Sequence, residues 1–127
     1  MDLNKVAQAW IEMWNLEVDD PARHQFEWVE DFEYIAVYEN PEVAIDLVLE
    51  VLNLNQGNNI LEVLSAGPLE QVLAEHGPSV IDRVENLART NKEFSSLLGG
   101  VWKNAMTEEV WAKVQQVQNR SGWDGNA

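Results

Sequence analysis

An all-α fold is what this sequence predicts, and three observations carry the prediction. Apolar residues recur at spacings of three and four from Leu3 to Val117, the signature of amphipathic helices. Corners that open helices stand at Asn40-Pro41, Gly67-Pro68 and Gly77-Pro78, because proline suits the first helical turn. No alternating strand with a hairpin turn interrupts this pattern. With 127 residues, 46% of them hydrophobic, and six tryptophans, the chain fits one domain that buries a core without cross-links. The expected architecture is an irregular bundle, or a short stack of antiparallel helix pairs, of about eight helices over residues 1–118. Residues 119–127 read as a flexible tail.

The first helix starts at Leu3 under an Asp2 cap, puts Leu3, Val6, Ala7, Trp10 and Trp14 on one stripe, and ends before Asp19-Asp20-Pro21. A second spans 24–38. Asn40 as N-cap, Pro41 in the first position and Glu42 facing the positive end of the dipole open the third, over 41–54. Gln56-Gly57-Asn58-Asn59 breaks the chain, and a short helix over 60–66 ends at Gly67. Pro68 opens a fifth that reaches His76, Gly77 serves as a left-handed cap, and Pro78 opens a sixth with Val80, Ile81, Val84, Leu87 and Ala88. The seventh carries Phe94, Leu97, Leu98, Val101 and Trp102 around Gly99-Gly100. Thr107-Glu108-Glu109 starts the eighth, which bears Val110, Trp111, Val114 and Val117. Trp10, Trp14, Trp102 and Trp111 fall on apolar stripes and are expected in the core. Trp123, within Ser121-Gly122-Trp123-Asp124-Gly125, either docks back onto the domain or stands exposed as an anchor.

The acid is unevenly placed. Thirteen carboxylates against two cations, Lys5 and Arg23, give residues 1–50 a net charge of −11, so residues 51–127 contribute only −3 of the total −14. Such a field repels nucleic acid and anionic membrane and attracts cationic partners. An advance of ~100° per residue sets Phe26, Trp28, Val29, Phe32, Ile35 and Ala36 on the apolar side of the second helix. Glu27, Glu30, Asp31, Tyr34 and Tyr38 fall opposite, a combination of rigid amphipathic area and charge suited to a basic protein. The alternative is that both tyrosines pack on a neighbouring helix with their hydroxyls in water. Glu42, Asp46 and Glu50 form an acidic ridge on the third helix, at a repulsive cost of roughly 0.2–0.5 kcal/mol per pair that a solvated face tolerates. These eight residues are the candidate partner-binding set. As a DNA mimic the ridge is sparse: one row gives a charge every ~6 Å, against one per ~1.7 Å of duplex.

Chemistry is harder to find. The absence of cysteine removes disulfides, thiolate nucleophiles and cysteine zinc sites. The two histidines, His24 and His76, have no partner at metal spacing, and no metalloprotease, phosphate-loop, calcium-loop or serine-elbow motif occurs. His76 before Gly77 reads as a cation at a helix end, and Glu70 with Arg83 as an ion pair closing a hairpin. The expectation is therefore no catalysis, no cofactor and no metal. Met1-Asp2-Leu3-Asn4-Lys5 resembles no export signal and no apolar run is long enough to span a bilayer, which points to the cytoplasm.

Ala66-Gly67-Pro68-Leu69-Glu70, Leu73, His76-Gly77, Arg89, Phe94, Leu97-Leu98-Gly99-Gly100-Val101-Trp102 and Trp111 resemble an uncharacterised bacterial family classed as a domain of unknown function. Pro41-Glu42 also sits where that family starts a helix. The resemblance covers residues 28–114 and leaves the first helix outside. It implies a cytoplasmic bacterial all-helical domain and transfers no reaction or ligand. From the residues themselves, the expected role is recognition of a basic protein partner, in its most concrete form an immunity-type or inhibitor protein that occupies the cationic groove of a bacterial toxin. The rival role is a small assembly subunit that self-associates through aromatic patches; oligomeric state is open.

Overall fold

The computed structural model describes residues 2–54 and 57–123. Gln56 of the expected break and residues 124–127 of the expected tail lie outside them. Asp2 accepts a bond from the Asn4 amide at 3.0 Å and opens α1, Leu3–Trp14. Asp20 does the same for Ala22 at 2.9 Å, starting a 3₁₀ segment, Pro21–Phe26, that runs directly into α2, Glu27–Glu39. The chain turns at Asn40 into α3, Pro41–Asn53. Asn40 holds the N-cap position, yet its side chain makes no capping bond.

After Gly57 come α4, Asn58–Leu64, a π-helical turn, Ser65–Leu69, and α5, Glu70–Thr90, which follow one another without an intervening loop but with kinks at Gly67 and His76. Asn91 caps α6, Lys92–Leu98, through Phe94, and Thr107 caps α7, Glu108–Val117, through Val110. Among the described residues the chain is helical without strands, as one domain, and its helical stretches number six rather than about eight. The difference arises at the two Gly-Pro corners. Gly67 (φ −90°, ψ −106°) and His76 (φ −133°, ψ 23°) leave helical geometry, but the flanking turns stay joined and bend instead of separating. A proline lacking its N–H and crowding the preceding turn produces a kink as readily as a start.

Gly77 is not the left-handed cap: the one glycine with positive φ among the described residues is Gly122. Its role is close approach. A Cβ on Gly77 would lie 2.9 Å from the Val110 methyls, so the bare backbone lets α5 meet α7.

A single core runs through the domain, from Val6 and Trp10 of α1 through Ile45, Leu47 and Val48 of α3 to Leu73, Phe94, Leu98 and Val114. α1 packs chiefly on α3, and α2 lies against α3 and α5. Buried Ser65 donates to the Leu97 carbonyl at 2.9 Å, tying the π turn to α6. Of the four tryptophans expected in the core, Trp10 is fully buried, Trp14 and Trp111 are half-buried, and Trp102 is 61% exposed. The helical period ends at Leu98, so the stripe that placed Trp102 inside does not reach it. Its ring instead receives the Arg120 guanidinium at 4.7 Å.

Residues 119–123, grouped by sequence with the tail, lie on the domain. The Asn119 amide bonds to the Ser95 carbonyl at 3.0 Å, Arg120 donates to the Gly99 carbonyl at 3.0 Å, and the Trp123 indole donates to the Ser96 carbonyl at 2.6 Å. Trp123 is docked. The strap fits because Gly99 has no side chain: a Cβ there would stand 1.8 Å from the Asn119 oxygen.

Candidate functional site

The candidate face is built on α2. Its buried seam is Val29, Ala36 and Val37, whereas Trp28 and Ile35, expected on the apolar side, are 43% and 46% exposed. Phe32 is half-buried. The apolar residues of α2 occupy more of its circumference than its neighbours cover, so the two large ones at the edge remain in solvent. Tyr34 and Tyr38 are 66% and 40% exposed and pack on each other, ring centroids 4.7 Å apart, rather than beneath a neighbouring helix. The result is a mixed face of Trp28, Tyr34, Ile35 and Tyr38 among Glu27, Glu30 and Asp31.

The carboxylates divide into two groups. Glu30 and Asp31 have no ion pair among the described residues, and Glu27 has only exposed His24 at 3.4 Å. The α3 ridge is different. Arg83 reaches across from α5 to Asp46 at 2.6 Å and to Glu42 at 3.4 Å, and Glu50 accepts from the Asn4 side chain at 3.3 Å. Burial opposes the Arg83 charge, but the bond and the charge of Asp46, followed by those of Glu42, outweigh it and raise its pKa further.

The expected Glu70–Arg83 pair is therefore not formed. Glu70 accepts instead from the Trp102 amide at 2.8 Å and the Asn104 side chain at 3.3 Å, holding the loop in which Asn104 takes a positive φ of 46°. Neighbouring positions in sequence suggested the pair, while the closer counter-charges lay on α3.

Two residues gain roles that sequence reasoning missed. Glu33, on the buried side of α2, accepts from the Trp10 indole at 2.5 Å. Burial pushes its carboxyl up from the usual range, the Trp10 bond pulls it partly back, and the Glu30 charge adds to the rise. The signal was present: Glu33 is four residues after Val29 and three before Ala36, in phase with the seam. His76 does not serve the end of its own helix. Its Nε2 donates to the Tyr38 carbonyl at 3.0 Å, satisfying an open group at the C-terminus of α2 and fixing the far end of the candidate face.

Among the described residues no group of three histidine, aspartate or glutamate side chains is placed to hold a metal ion, and no helix is long and apolar enough to cross a membrane. Residues 16–122 match the model of a family described as a family of unknown function (DUF6869). The chain belongs to that family. The DUF6869 match runs wider than the 28–114 of the resemblance, taking in α2 to α7 and leaving α1 outside. No curated protein and no solved structure matches the chain.

Proposed function

We propose that this DUF6869 protein is a non-enzymatic, cytoplasmic binding module that recognises a basic protein through the exposed face of α2. The observation that carries this reading is carboxylate charge that no lysine or arginine pairs among the described residues. No lysine or arginine occurs between Arg23 and Arg83, and Arg83 is spent on Glu42 and Asp46, so Glu30 and Asp31, with no ion pair among the described residues, and Glu27, paired only with exposed His24, offer their field outward beside two exposed tyrosines. Aromatic area framed by unpaired charge is what a protein interface concentrates. The most concrete form is an immunity-type inhibitor that occludes the cationic groove of a bacterial toxin, with Tyr34 and Tyr38 supplying contact area. Glu42, Asp46 and Glu50 contribute field more than contact, since each already has a partner within the chain.

The test is capture of the partner on immobilised protein, followed by binding kinetics. Tyr34→Ala and Tyr38→Ala are each expected to weaken binding by roughly 1–3 kcal/mol, mostly through faster dissociation. Reversing Glu27, Glu30 and Asp31 together is expected to slow association and flatten its salt dependence. A captured protein that is not basic, or binding that none of these changes alters, refutes the reading.

A further inference from the structure

Beside the tyrosines, at the junction of α2 and α3, lies a small open notch lined by Phe32, Ile35, Ala36, Asn40 and Val43. Three facts set it apart from ordinary surface. Four of its five lining residues are apolar, although Ile35 is 46% exposed. Asn40, in a position where its side-chain oxygen ordinarily caps a helix, makes no such bond, and its amide lines the notch with no partner among the described residues. Asp31 and Glu39 stand four residues before and after Ile35, with no ion pair among the described residues, so on the helix surface each is its neighbour.

We infer that this notch seats a single branched aliphatic side chain of the basic partner, with a lysine or arginine on either side reaching Asp31 and Glu39; the inference rests on the function proposed above and names the segment recognised. Size decides the anchor. The notch holds about 90 Å³, whereas a cavity of roughly 150 Å³ accepts a benzene ring, so valine, leucine or isoleucine suits it better than an aromatic side chain. Spacing decides the flanks. Asp31 and Glu39 are separated by ~12 Å along the axis of α2, a distance matched by cations two residues to each side of the anchor in an extended segment or four to each side in a helix. Asn40 then has a donor and an acceptor to offer the partner's backbone. A second copy of this chain is the wrong occupant. An isologous contact through this patch would bring the acidic α2 faces of both copies together and add repulsion between like charges.

The experiment is selection from a displayed library of random twelve-residue peptides on the immobilised full chain. Enriched peptides are expected to combine valine, leucine or isoleucine with lysine or arginine two or four positions away on both sides. A synthetic peptide of the consensus should bind at least tenfold more weakly to Ile35→Ser, and equally so to Val43→Phe, which fills the notch while keeping Ile35. Because Ile35 is exposed, Ile35→Ser should melt as the parent does. Basic peptides without an aliphatic anchor, indifferent to both variants, would overturn the notch and leave the wider reading standing. Enrichment of peptides that are not basic would sink both. A monomer–dimer equilibrium abolished by Ile35→Ser would identify the occupant as a second copy and refute the inference.

Discussion

Glu33 is the carboxylate that α2 turns inward, and its protonation is linked to stability. Burial raises its pKa in the folded protein above the ordinary 4.5, with the Glu30 charge adding to the rise and Trp10 opposing it. The folded state thus holds a proton that the unfolded state has already released. Stability from this site is full below pH 4.5 and is lost as pH rises through the folded value. Glu33→Gln keeps an acceptor for Trp10 and removes the buried charge. It is expected to raise Tm at pH 7, with the gain shrinking as pH falls toward 4.5; calorimetry at several pH values checks this, and a lower Tm at pH 7 contradicts it. The placement of Glu33 was legible in the sequence, since it is in phase with Val29 and Ala36. It was passed over because a glutamate among so many acids reads as solvated surface. Trp102 is the converse. Its spacing from Leu98 reads as core, but a helix that stops at Leu98 no longer imposes that spacing.

Between elements, Arg83 is the clamp that joins α5 to α3. Its guanidinium is about one-third exposed and bonds both Glu42 and Asp46. Pairs of this exposure contribute on the order of 0.5–1 kcal/mol. Here the clamp also relieves repulsion along the ridge. Arg83→Gln is expected to lower stability by about that amount at low salt, with the difference narrowing in 0.5 M salt as screening weakens both terms. Denaturant melts at the two salt levels decide it. The order of helices was legible from periodicity and from the Asn40-Pro41, Gly67-Pro68 and Gly77-Pro78 corners. Whether a corner separates two helices or bends one was not, because that depends on distant contacts such as Val110 on Gly77. The partners of Glu70 and Arg83 were hidden for the same reason: local sequence fixes which face a charge occupies, and packing then selects what it meets.

Across the whole molecule, charge and core are arranged in opposite ways: acid is concentrated toward one end of the sequence, while the core is continuous from α1 to α7. The family match begins at residue 16, after α1 has ended. Yet Val6, Ala7 and Trp10 are fully buried, α1 covers α3, and it supplies the indole that bonds Glu33. A chain begun at Leu16 would bare that strip of α3 and leave Glu33 without its donor. It is expected to elute in size-exclusion chromatography as larger and more heterogeneous species than the full chain, and a monodisperse, cooperatively melting truncation would contradict this. Heredity and mechanics thus draw different borders around the same domain. The family match starts after the first helix, whereas the core and the Trp10–Glu33 bond include it, so the α2 face transplanted into another protein is expected to need α1 along as its wall.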